Sequence, residues 1–254
     1  MTVTLALTTI EAIALASVRI AAFLVIAPPF NHRGLSGQVK AMLAFGLALA
    51  AAPRVGTSGG MSSAEFITAL TVNVVIGAGM GFLVALIFSG ITAAGSLIDF
   101  FGGFQIAHAY DPGSQVNGAQ FTRLFQMTAI VLLFATGAYQ VMLLGVATSF
   151  EVVPVGAGLD LSFLGAKLTE TITTMFVCAL QIAGPLILVL FLADAGLGLV
   201  TRVAPALNAF VLGFPLKILL SLTFGVFVLL GLPEMVSSLT GKVLMSFADM
   251  LGVG

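Results

Sequence analysis

A chain of 254 residues with 59% hydrophobic residues, only 7% charged residues and a mean hydropathy of +1.19 is not a soluble domain, since such domains carry about 25% charged residues. The formal net charge of −1 and the lack of any basic tract give nucleic-acid binding no support. The single cysteine, Cys178, excludes an intrachain disulfide and a cysteine-based metal cluster and reads as a small buried apolar residue. What remains is a membrane protein of one helical bundle, with no linker to mark a second domain, so residues 1–254 are expected to form a single domain.

Residues 1–10 hold no Lys or Arg, and the first basic residue, Arg19, interrupts the first apolar segment at 12–30. A signal peptide has the opposite order, so this N-terminus is expected to belong to the mature protein. Pro28-Pro29 stops the segment. Arg19 sits near its middle, where a charge either snorkels to a nearby surface or pairs with a group from another element. Residues 31–40 form a polar connection carrying Arg33 and Lys40.

Residues 41–52 are apolar but reach only roughly 18 Å as a helix, against about 30 Å of bilayer core, so they cannot span alone. A break follows from Pro53-Arg54 to Ser63. Phe66 to Ile98 then runs 33 residues without a charge. As one helix this would be roughly 50 Å long, which predicts a bent or protruding element. Gly77 and Gly81 have the spacing that lets helices approach closely. No strand precedes the glycines and no acidic partner follows, which rejects a nucleotide loop.

The stretch Asp99 to Arg123 separates that run from another uncharged one, Leu124 to Phe150, and holds Asp99, His108, Asp111 and Arg123. Asp111-Pro112-Gly113-Ser114 is a turn signal. A polar turn between such runs cannot lie against lipid, where its backbone groups would go unpaired. It is either a surface connection between two membrane helices or a loop folded inside an aqueous path.

Residues 124–150 are long enough to span, 151–170 read as a solvated connection, and 171–193 form another spanning run with Gly184-Pro185 as a kink. In 194–217, Asp194, Arg202 and Lys217 stand among apolar residues, and Pro205 and Pro215 are expected to interrupt the segment. Residues 218–233 are again short for a span, and the tail to Gly254 is amphipathic. The uneven lengths point to apolar surface buried against other protein chains.

No catalytic site emerges. His32 and His108 cannot make a three-histidine metal site, and there is no HExxH or GxSxG motif. Asp99 and Asp194 could form a carboxylate dyad, but their surroundings lack the glycine-rich setting of membrane aspartyl proteases. No catalytic residue, metal or cofactor is assigned.

Residues 193–217 carry a pattern with a known counterpart. Leu197-Gly198-Leu199, then Arg202, Pro205, Leu207, Asn208 and Phe210, then Gly213-Phe214-Pro215-Leu216-Lys217, resemble the flagellar biosynthetic protein FliR family. Arg19, Ala27-Pro28-Pro29-Phe30, Gly81, Gly95 through Asp99 to Gly103, Asp111-Pro112-Gly113, and Ser149-Phe150 before Pro154-Val155-Gly156 agree in order and spacing. Ala206 departs from the pattern, where a glutamine is expected.

The resemblance implies a non-enzymatic subunit of the type III export gate in the bacterial inner membrane, at the flagellar basal body. It implies an all-α membrane protein in which helical hairpins of uneven length form a FliP-like half joined to a FliQ-like half, not a conventional multi-span bundle. One copy would assemble with FliP-type and FliQ-type subunits, contact an FlhB-type protein and membrane lipid, and pass unfolded export substrates. Under this reading the central loop is expected to plug the pore through Phe104, Ile106, His108, Tyr110, Asp111, Pro112 and Gly113. Arg19, Asp99, Asp194 and Arg202 are expected to be buried charges, and Arg19, Arg202 or both are expected to pair with carboxylates, Asp99 and Asp194 being the candidates, or with helix C-terminal carbonyls. The competing reading is a small-molecule or ion transporter with those four charges at a midplane site.

Overall fold

The longest uncharged run begins at a capping box. Ser62 and Glu65 exchange hydrogen bonds: the Ser62 N–H and hydroxyl donate to Glu65 Oε2 at 2.7 and 2.8 Å, and the Glu65 N–H donates to Ser62 Oγ at 3.4 Å. From there one helix continues unbroken over Ser63–Gly102, 40 residues, or roughly 60 Å, about twice the bilayer core. The expectation of a single element longer than the membrane holds.

The computed structural model describes residues 2–32, 34–55, 61–104, 120–156, 162–204 and 209–250. These form α1 (Thr2–Ile26), α2 (Gly37–Ala51) with a 3-10 turn at Ala52–Arg54, α3 (Ser63–Gly102), α4 (Gln120–Ala135), α5 (Ala138–Val152), α6 (Ser162–Val203) and α7 (Ala209–Met250). Among the described residues there is no strand. The protein is an all-α membrane protein: Thr8–Ile26, Ser63–Gly102, Leu168–Val203 and Val211–Asp249 are each long and apolar enough to cross a bilayer. The 15 residues of α2 are not long enough to do so, as expected from 41–52.

Several boundaries differ from the sequence expectation. The run 124–150 is not one helix but breaks between Ala135 and Ala138, where Gly137 adopts φ 73°. A left-handed residue ends a helix even in an apolar run. The connection 151–170 is shorter than expected, because α6 already starts at Ser162. Residues 218–233 are not a separate short segment, and Pro215 does not interrupt the chain. Both lie inside the 42-residue α7, which also carries Pro233. Pro205 falls in the gap between Val203 and Ala209, where a break was expected.

The chain divides into two compact units. The first comprises Met1–Ile87, Leu133–Ile172 and Ser238–Gly254. Its core is Leu15, Phe23, Leu24, Ile76, Met80 and Phe150, each almost fully excluded from solvent. Here α1 lies directly on α3 at the two glycines. A Cβ on Gly77 would collide with the Arg19 carbonyl oxygen, and one on Gly81 would lie 3.0 Å from the Phe23 carbonyl oxygen. The four-residue spacing of Gly77 and Gly81 thus serves close backbone approach.

The second unit comprises Phe88–Leu132 and Thr173–Ser237. Gly90 admits the Met175 carbonyl and Cys178, and Gly95 admits the Phe121 carbonyl, with a virtual Cβ 2.8 Å from that oxygen. Within this unit α6 and α7 run antiparallel. Asp194 meets Lys217 at 2.8 Å and Leu197 touches Gly213. Farther from the turn, Pro185, Leu186, Phe227 and Gly231 line an apolar groove of about 460 Å³.

Candidate functional site

The first unit is built around Arg19, which is fully buried. Its guanidinium reaches two other elements, α3 and the C-terminal end of α5. Nε donates to Asn73 Oδ1 of α3 at 2.9 Å. Nη1 donates to the Ser149 carbonyl and hydroxyl oxygens at 3.1 Å each, and Nη2 to the Val153 carbonyl at 2.8 Å. The Phe150 ring lies 4.4 Å from Cζ, in cation–π range.

These carbonyls belong to the C-terminal end of α5, where the dipole is negative and the Val153 carbonyl lies past the last helical donor, while the Ser149 carbonyl also accepts the Val153 N–H at 2.9 Å. A helix end therefore takes the place of a carboxylate. Asn73 completes the network by donating to the Ala69 and Val155 carbonyls at 2.7 and 2.8 Å.

The second unit uses the opposite arrangement. Asp99, also fully buried, accepts the Phe121 N–H at Oδ1 (2.9 Å) and the Thr122 N–H and hydroxyl at Oδ2 (2.8 and 2.6 Å). It caps the positive N-terminus of α4 from another helix. The expected pairing of Arg19 with Asp99 does not form, while the alternative of helix C-terminal carbonyls does.

The other two charges are exposed in the chain. Asp194 pairs with Lys217, not with Arg202 or Arg19. Arg202 makes no ion pair with the described residues. Asp99 and Asp194 do not form a dyad, because the Asp99 oxygens are occupied by donors of α4 and Asp194 by Lys217. Arg19 and Asp99 likewise spend their polar capacity on helix ends, which leaves them unsuited to an open transport site. Among the described residues no cluster of three or more His, Cys, Asp or Glu could hold a metal.

Of the expected plug residues, Phe104 is described, and its ring centroid stands 5.5 Å from that of Phe121. Ile106, His108, Tyr110, Asp111, Pro112 and Gly113 lie outside the described residues. In the 193–217 pattern, Pro205, Leu207 and Asn208 also lie outside them, and Phe210 is placed in α7 by its backbone. Gly213, Phe214, Pro215 and Lys217 occupy the first turns of α7 on the hairpin side already described.

Sequence reasoning missed Asn73, Thr122 and the capping box. Asn73 had a signal, as the sole amide side chain in the uncharged run of 33 residues. The capping box was legible in the S-x-x-E spacing of 62–65. Thr122 had no local signal.

The fold and these two centres describe a helical membrane protein whose two fully buried charges are each hydrogen-bonded to a helix end. Residues 10–243 match the family described as bacterial export proteins, family 1. Flagellar biosynthetic protein FliR of Bacillus subtilis is 30% identical over 209 residues, 80% of this chain and 80% of that protein. FliR of Pectobacterium carotovorum is 30% identical over 236 residues, 92% of this chain and 90% of that one. Yop proteins translocation protein T of Yersinia pestis is 28% identical over 78% of each chain. The chain belongs to the bacterial export protein family of FliR.

Proposed function

We propose that this chain is a subunit of the flagellar type III protein export gate. It forms, with FliP-type and FliQ-type subunits, the closed pore through which unfolded flagellar proteins leave the cell. The gate lies in the bacterial inner membrane at the flagellar basal body and adjoins an FlhB-type protein. In this reading the α6–α7 hairpin is the FliQ-like half and the preceding helices the FliP-like half of one export-gate domain over 1–254. The role is structural, not enzymatic.

The observation that carries the reading, beside the family, is helix length against burial. Helices α6 and α7 each run 42 residues, roughly 63 Å or twice the bilayer core. Yet the most apolar window of Val211–Asp249 is only 17% buried within the chain. Leu199 and Val203 near the end of α6, and Leu219, Phe227 and Leu230 in α7, are exposed. Apolar surface extending well beyond a bilayer needs protein cover, which partner subunits of a ring supply. The exposed Asp194 and Arg202 would become buried in that assembly.

The loop through Phe104, Ile106, His108, Tyr110, Asp111, Pro112 and Gly113 is the pore plug in this proposal, displaced by substrate. Deleting residues 106–118 should raise ion leak through the assembled complex without abolishing assembly. Unchanged conductance in an intact complex would refute the plug, and loss of assembly would reassign the loop as a structural connection.

A further inference from the structure

Two helix ends of the first unit meet at an ion pair that the Arg19 centre does not use. Arg54 closes the 3-10 turn after α2, Glu151 stands in the last turn of α5, and Arg54 Nε lies 3.5 Å from Glu151 Oε1. One or two turns back along both helices, Leu47 and Ala50 of α2 and Leu143, Leu144 and Ala147 of α5 line a groove of about 220 Å³. The buried Ile20 of α1 belongs to the same lining. Here α2 and α5 run side by side in one direction, with the groove between their last turns and the ion pair at its end. Among the described lining residues Arg54 is the only charged one, and none is aromatic.

The ion pair is open. Its side chains are 43% and 55% exposed, and neither has another polar partner among the described residues. A charge-assisted N–H···O bond closes to about 2.7–2.9 Å, so a 3.5 Å separation leaves guanidinium donors and a carboxylate oxygen free for a ligand. Both helices end at this level, and irregular backbone is kept out of hydrocarbon because its polar groups would go unpaired there. The pair thus marks the border between a polar layer and the apolar groove. A groove that ends at a cation and an anion side by side matches an amphiphile whose head carries both charges.

We propose that this groove binds a zwitterionic phospholipid with a primary ammonium in its headgroup. An acyl chain lies between α2 and α5, Arg54 donates to the phosphate, and Glu151 accepts from the ammonium. The planar guanidinium fork matches two phosphate oxygens, and an ammonium brings three donors to the carboxylate. A trimethylammonium head has no N–H to give Glu151 and is recognised by aromatic faces, which the described lining lacks. An anionic head without an amine would set its phosphate against the Glu151 carboxylate, and one arginine is far from the basic cluster that anionic lipids select. The proposal concerns a membrane ligand and does not rest on the export reading.

The test uses the full tagged chain with whatever subunits copurify, reconstituted with equal parts phosphatidylethanolamine, phosphatidylcholine and phosphatidylglycerol. After bulk lipid is stripped in detergent, the retained phospholipid is counted by mass spectrometry, and a thermal melt checks folding. The parent should retain phosphatidylethanolamine over each of the others on the order of tenfold, the scale of one charge-assisted hydrogen bond. Arg54→Gln and Glu151→Gln should each remove most of that preference. Ala50→Phe leaves both charges in place but fills the groove, and should lower retention of all three lipids. A photo-crosslinker at Leu144 should label lipid. No preference in the parent, best retention of phosphatidylglycerol, or an unchanged preference in the folded charge variants would overturn the proposal. Unchanged retention with Ala50→Phe, or a Leu144 adduct with protein in place of lipid, would also overturn it, the latter by assigning the groove to a subunit interface. If the charge variants fail the melt, the Ala50→Phe and Leu144 results decide alone.

Discussion

Replacing Arg19 by methionine tests the first buried centre. The substitution keeps an unbranched apolar stem but removes every donor of the guanidinium. Two acceptors retain partners: the Ser149 carbonyl keeps the Val153 N–H at 2.9 Å, and the Ser149 hydroxyl keeps the Val146 carbonyl at 2.6 Å. Val153 O and Asn73 Oδ1 lose the donors that met them at 2.8 and 2.9 Å. A buried polar group left without its partner costs about 1–3 kcal/mol, so the two together give about 2–6 kcal/mol. Loss of the cation–π contact adds to this, while relief from burying a charge subtracts. For a chain of this size a change near the middle of that range lowers the melting temperature on the order of 10 °C. Thermal unfolding of the detergent-purified protein, followed by loss of helical signal, reads it directly. Arg19→Lys should lie between parent and Arg19→Met, because an ammonium cannot fork across Asn73 and the end of α5. Arg19→Met that melts with the parent protein would refute the account of this centre.

Gly77→Ala should destabilise the first unit by about 1–3 kcal/mol, because the new Cβ meets the Arg19 backbone carbonyl, which cannot give way as a side-chain tip can. Gly46→Ala in α2, where a Cβ meets nothing within 4 Å, should be neutral or stabilising by about 0.5–1 kcal/mol in the same melt. Ser62→Ala should cost about 1 kcal/mol by dissolving the capping box, seen as faster amide exchange in the first turn of α3.

The lengths of the elements and their punctuation were largely legible. A 33-residue uncharged run can only be one overlong helix or a bent one, and the Gly77/Gly81 spacing marks where a neighbour comes close. Arg19 could be read as needing an internal partner because a charge in an apolar helix has few alternatives. Its acceptors were not legible, because backbone carbonyls leave no trace in composition. Asp99 shows the same limit from the other side. It caps α4 across 22 residues of chain, so no local motif announces it. The break at Gly137 was missed because an isolated glycine in an apolar run reads equally as helix interior, and only its φ of 73° distinguishes the two. The opposite error occurred at Pro215, which was read as an interruption but sits inside α7. In an apolar environment neighbouring turns and packing can tolerate an interior proline.

The central claim is that this chain is one part of a multi-subunit export gate. Its most direct test is the mass and composition of the particle that copurifies with the tagged chain in mild detergent. The account predicts a large hetero-oligomer containing one copy of this chain with several FliP-type and FliQ-type subunits. A stable monomer or a small homo-oligomer of this chain alone would contradict it.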